Sequence, residues 1–267
     1  MDADLSGLRQ ALPEPAPVPG AGDPPHLERQ ARPAPRPTER LTALLEVVLV
    51  SGLPSQLVVM VGLAALGIAQ TGAGGTLSRE FVFALLLSDT ALVLVLIAAF
   101  LHARRDSWRD VLLGGRRQPP ELVLGFACVP LVLVGVAGTL AGIRTVLPGL
   151  HNVPANPFEP FVQTGHDAVL MGALAVLSGG VKEEIQRAFV LRRFGQFLGG
   201  ERVGLVVFSL AFGAGHFVQG WDVGIVTTLL GAFWGILYLW RRSISASVIN
   251  HSGFNVAQIV QFLVAGS

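Results

Sequence analysis

Three stretches in the second half of the chain hold polar residues that could do chemistry together: KEEIQR at 182–187, FGAGH at 212–216 and HSGFN at 251–255. In the first, Glu183 and Glu184 are neighbours, so on a helix they point about 100° apart and cannot serve one point in space. One of them can line a cavity while the other holds the fold. Arg187 lies three residues after Glu184 and four after Glu183, within pairing reach of either. In the second, His216 follows Phe212 by one turn, and Gly213 and Gly215 leave room for a neighbouring helix or a water beside the ring. In the third, His251 and Asn255 are four apart and share a helix face. A Glu beside a His can bind and deprotonate water, directly or through a metal ion, and a second His with an Asn can hold the oxyanion that results. That is equipment for hydrolysing an amide. Each stretch also has a plainer reading: the solvated end of a helix for the charges, a helix-to-helix hydrogen bond for His216, and polar glue with Ser247, Asn250 and Ser252 for the third. No HExxH, GxSxG or GxGD pattern occurs in the apolar stretches, which leaves a zincin, a serine hydrolase and an aspartyl intramembrane protease without support.

The elements that must position these residues are apolar. The chain of 267 residues is 51% hydrophobic and 14% charged, against about 25% charged in an average soluble domain. Its net charge of +1 gives no reason to expect a nucleic-acid partner. Seven stretches come near or exceed the roughly 20 residues needed to cross the hydrocarbon of a bilayer: 41–69, 81–102, 121–142, 167 into the charged stretch, 202–219, 222–240 and 243–266. Arginines gather in every second connection: Arg104, Arg105, Arg109, Arg116 and Arg117, then Arg192, Arg193 and Arg202, then Arg241 and Arg242. By the positive-inside rule those connections and the N-terminus face the cytoplasm. The expected architecture is all-α: a polytopic transmembrane helix bundle of about seven crossings, integral to the plasma or bacterial inner membrane, with the bilayer itself as a partner. A charge inside such a bundle is expensive and marks function, so the last four crossings are where function is sought.

Residues 1–38 run through PEPAPVPG, DPPH and ARPAPRPTE without an apolar core, which predicts a disordered cytoplasmic tail rather than a signal peptide. The transmembrane helical domain is expected over 39–267. Pro54 predicts a kink in the first crossing, and SWRDVLLGG at 107–115 predicts a short interfacial helix with Trp108 at headgroup depth. The stretch 147–166, with four prolines, reads as a non-cytoplasmic loop. The single cysteine, Cys128, excludes an internal disulfide and CxxC metal sites.

At EEIQR, FGAGH and HSGFN the chain resembles the CPBP family of intramembrane proteases, which includes CAAX prenyl proteases of the Rce1 type and the bacterial Abi proteins. The family carries a Glu-Glu pair followed by Arg, then Phe-x-x-x-His, then His-x-x-x-Asn, and the resemblance covers roughly residues 120–266. It implies catalytic roles for Glu183, Glu184, Arg187, His216, His251 and Asn255: Glu183 activating water with His216, His251 and Asn255 steadying the tetrahedral intermediate, Glu184 supporting. It also implies a membrane-embedded or lipidated peptide as substrate, CAAX-type prenylated chains included. Zinc held by Glu183, His216 and His251 is a plausible cofactor, and the same groups suit water alone. One departure stands out. The family has three residues between the Glu pair and Arg, and this chain has two, which turns Arg187 by about 100°. A local bulge would restore the contact; without one, Arg187 faces the headgroups. Two other readings use the same residues: a catalytically silent membrane scaffold or bacteriocin-immunity-type protein, and a small-solute or proton-coupled transporter, for which no inverted repeat is visible.

Overall fold

The structure, a computed structural model, describes residues 34–72 and 75–265. Of the expected tail, residues 1–33 lie outside the described residues, and Pro37 and Thr38 open the first helix. The described residues are all-α apart from one isolated bridge between Thr71 and Leu77. In chain order the helices are α1 (Pro37–Val50), α2 (Leu53–Ala65), α3 (Arg79–Ala103), α4 (Trp108–Leu112), α5 (Gln118–Val146), α6 (Gly165–Leu174), α7 (Glu183–Phe197), α8 (Glu201–Ala214), α9 (Trp221–Arg241) and α10 (Ser245–Ala265). Between α6 and α7 the chain stays helical, but as a wide π-helix over Ala175–Lys182.

Local sequence sets most of these ends. Ser78 caps α3 by accepting from the Phe81 amide, and Thr164 and Asp167 form a reciprocal capping box on α6. Pro119 and Pro120 open α5, where a missing N–H costs nothing. Within 107–115 the structure has the short helix α4, with Trp108 exposed.

The expectation of about seven crossings does not hold. Among the described residues three helices, α3, α5 and α9, are long and apolar enough to cross a bilayer, and a fourth span is reached only if α1 and α2, bent by 47°, are taken together. The physical reason lies in the other stretches. Helix α8 ends at Ala214 and spans only about 21 Å at 1.5 Å per residue. Helix α10 is long enough but carries Ser245, Ser247, Asn250, His251, Ser252 and Asn255. The run through α6 and α7 carries Lys182, Glu183, Glu184, Gln186 and Arg187. In α10 and the α6–α7 run, the polar side chains that interrupt a simple span are the ones capable of chemistry.

Apolar surface is distributed to match. Outward-facing Val123, Phe126, Leu131 and Val134 of α5 are all more than 60% exposed, a stripe suited to hydrocarbon rather than water. Inside, Val93, Ile97 and Leu101 of α3 pack on Ala188, Phe189 and Leu191 of α7. Helix α10 lies between α5 and the π-helix. Its approach to α5 is closest at Gly125, where a Cβ would run into Ala246 and Ile249. Its approach to the π-helix is closest at Gly179 and Gly180, where a Cβ would collide with Asn255 and Ser252.

Candidate active site

The π-helix, α7, α8, α9 and α10 together place the chemically capable side chains. A π-turn bonds i to i+5 and widens the helix. Here it ends at Lys182, one residue ahead of the Glu pair, and it presents the two glycines that let α10 approach. The Asn255 amide donates to the Ala175 carbonyl of this wide segment at 3.2 Å. That uses one of its two N–H groups and leaves the other.

Glu183 and Glu184 divide their work as two adjacent helical residues must. Glu184 is 1% exposed; its Oε1 takes a hydrogen bond from Arg187 and another from His251 Nδ1 at 2.9 Å. A carboxylate only accepts, so Nδ1 is the donor and carries the proton. His251 Nε2 then faces Glu183, whose Oε2 is 3.8 Å away. That is too long for a hydrogen bond and suits a water bonded to both atoms. The Glu183 side chain is 20% exposed, whereas that of Glu184 is wholly buried.

Arg187 does not face headgroups. It is 1% exposed, bonded to Glu184 at three residues' separation, with no bulge between them, and its guanidinium carbon lies 5.0 Å from the Phe212 ring, 5.4 Å from Phe208 and 5.5 Å from Trp234. The aromatic faces attract the cation in place of water. The shortened spacing is accommodated by pairing with the second Glu.

His216 lies at the end of α8, and its Nδ1 donates to the Phe212 carbonyl at 2.8 Å, which leaves Nε2 as its free nitrogen. Its ring packs on Phe212, centroids 4.9 Å apart, and His251 meets the same ring edge-on at 6.1 Å. The structure therefore brings Glu183, Glu184, Arg187 and His251 into one set of polar contacts. It ties Asn255 to the π-helix beside them and relates His216 to His251 through Phe212. As placed, Glu183, His216 and His251 do not form a metal-binding group: among the described residues, no three His, Cys, Asp or Glu side chains are grouped so as to hold a metal ion.

Two features escaped the sequence reading. Trp234 stacks on His251, centroids 3.6 Å apart and nearly parallel, and donates from Nε1 to Asn250 at 2.8 Å. Its place between Gly231 and Gly235 in an apolar run was the available signal. Asp89, fully buried in α3, accepts from Lys182 at 3.2 Å and from Ser55 at 2.5 Å. An aspartate in the middle of LLLSDTALV is itself a mark of function or pairing, but it lies in a stretch outside the last four. The break in the first apolar run is knitted to the same place, since Gln186 donates to the Val50 carbonyl that the helix end leaves unpaired.

Residues 165–257 match the family model described as type II CAAX prenyl endopeptidase Rce1-like. The matched segment begins at the first residue of α6 and includes all six candidate site residues. No curated protein and no solved structure matches the chain.

Proposed function

We propose that the chain is an intramembrane endopeptidase that hydrolyses a peptide bond with water activated by Glu183. The observation that carries this reading is the split Glu pair. One carboxylate is buried on Arg187 and orients His251, and the other is partly exposed with one oxygen 3.8 Å from His251 Nε2, a separation at which a single water can bond both atoms from one side. This is the logic of a base held by an orienting group. Water bonded to Glu183 and His251 gives its proton to Glu183 as its oxygen attacks the carbonyl carbon. The second N–H of Asn255 stabilises the oxyanion, and the proton passes to the leaving nitrogen as the C–N bond breaks. His216 Nε2 is available to the substrate side of the same ring cluster. The proposed substrate is a membrane-embedded or lipidated peptide, CAAX-type prenylated chains included. The protein would sit in the plasma or inner membrane with its arginine-rich helix ends, at Arg104, Arg192, Arg193 and Arg241, towards the cytoplasm.

A second reading, a membrane protein that keeps this fold without hydrolysis, is favoured by one observation. Counted back from Arg187 with three residues between, the pair would be Lys182 and Glu183, and Lys182 is held by Asp89. The deciding experiment is Glu183→Gln, assayed on membrane-embedded and lipidated peptides in parallel with folded yield. Cleavage by the wild type that drops at least about 10³-fold in the variant, with yield retained, supports the protease. A wild type that cleaves nothing, with its cellular function surviving Glu183→Gln, moves the assignment to the silent protein.

A further inference from the structure

Lys182 is a lysine almost wholly withdrawn from solvent in an apolar bundle, 4% exposed at the last position of the π-helix. Its Nζ lies 3.2 Å from Asp89 Oδ2 and 3.9 Å from Glu183 Oε1. Asp89 is fully buried, and its other oxygen accepts from Ser55 Oγ at 2.5 Å, so the aspartate is fixed from the side of α2 as well. Glu183 is thus approached at Oε1 by Lys182 and at Oε2 by His251.

An ion pair buried to this degree is poor evidence for stability. Replacing such a pair with apolar residues of similar volume is often neutral or stabilising. Packing the π-helix against α3 therefore does not require a lysine and an aspartate. What an apolar pair could not supply is a cation beside the carboxylate that faces His251.

We infer that Lys182 is a positioning residue for Glu183, fixed by Asp89, itself bonded to Ser55, so that its ammonium attracts one carboxylate oxygen across 3.9 Å and leaves the other directed at His251. The inference rests on the proposed hydrolysis and deepens it: the machinery extends from the matched segment into α2 and α3, which lie before it. It also accounts for a π-helix that ends at Lys182. The wide turn immediately before the Glu pair sets the direction in which Lys182 leaves the helix.

The test removes the pair as a unit. Lys182→Met/Asp89→Leu keeps side-chain bulk without leaving a charge unpaired, so folded yield and Tm in detergent should stay close to wild type. KM for a peptide substrate should change less than about twofold, because neither residue is placed to touch substrate, while kcat falls about tenfold or more as Glu183 loses its fixed direction. Should the double variant fail to fold, Lys182→Gln, which can still bond Asp89 but carries no charge, gives the same readout. An unchanged kcat in either variant, with wild type cleaving, overturns the inference and leaves the protease reading intact. A wild type that cleaves nothing overturns both.

Discussion

Two clusters of charged side chains lie in this bundle, built from the same residue types and finished differently. Near the C-terminal ends of α3 and α7, Arg193 is fully buried and donates to Glu46 at 2.5 Å and to Asp106 at 2.7 Å. Glu46 also takes Arg104, and Asp106 also takes Arg192, each at 2.7 Å. Each carboxylate has two arginines, and no atom of this network is among the buried side-chain atoms left without a partner. At the candidate site the accounting is open. Of the six such atoms among the described residues, three belong to Glu184 and Arg187 and two more to Ser252 and Ser209, which adjoin His251 and precede Phe212 by one turn. Buried polar groups are nearly always satisfied, so an unsatisfied set gathered in one place points to water or a substrate group as the missing partner. The two clusters teach that burial of charge alone does not mark a site in this bundle. Incomplete pairing is what sets the candidate site apart.

The comparison can be broken by removing one arginine from each cluster. Arg187→Met leaves Glu184 buried with His251 as its remaining partner, and stability should fall by about 3–5 kcal/mol, as when one member of a buried pair is deleted. Arg193→Met leaves Glu46 with Arg104 and Asp106 with Arg192, so the loss should be smaller, on the order of 1–2 kcal/mol. Denaturant unfolding in detergent measures both. Equal losses would mean that the two clusters hold the bundle in the same way.

A rate measurement sharpens it further. Asn255→Ala removes the proposed oxyanion donor, and such donors are worth about 10²-fold to 10³-fold in kcat. It also removes the bond to the Ala175 carbonyl, so stability should drop by about 1 kcal/mol. The matched change in the other cluster is Gln196→Ala, which deletes an acceptor 3.1 Å from Arg193. It should leave kcat unchanged. A comparable loss of rate in both variants would remove Asn255 from the reaction.

The six candidate site residues could be picked out in the sequence because each breaks an apolar pattern at helical spacing, and that signal survives whatever the helices do relative to lipid. Helices α3, α5 and α9 were readable for the complementary reason: almost nothing interrupts them. The count of crossings failed where those two signals overlap. An apolar run with a few polar residues is compatible with a span and with a helix packed against other helices; polar side chains interrupt α10 and the α6–α7 run, and α8 stops short at Ala214. The break at Ser51 and Gly52 was signalled by Pro54, but its partner Gln186 is 136 residues from Val50 and no local pattern links them. Asp89 was visible as a residue and invisible as a member of the site, because its link to Glu183 passes through Lys182 across 93 residues of chain. The π-helix left no mark in composition at all.

The smallest expected effect tests whether the closed network is electrostatic in origin. Burial pushes the Asp106 carboxyl up, but the hydrogen bonds from Arg193 and Arg192 outweigh it and hold the group below its ordinary range. A carboxyl depressed in the folded state contributes stability above its unfolded pKa, near 4, and loses it as pH falls through the lower folded value. Asp106 is partly solvated, so the contribution should be about 1 kcal/mol or less. The expected result is a Tm difference between wild type and Asp106→Asn that is constant from pH 5 to pH 7 and closes below about pH 4. A difference that persists undiminished in acid would mean that Asp106 acts through shape and neutral hydrogen bonds. The arginine end would then be held by packing around Phe189, over which the Arg193 guanidinium lies at 4.5 Å, rather than by charge.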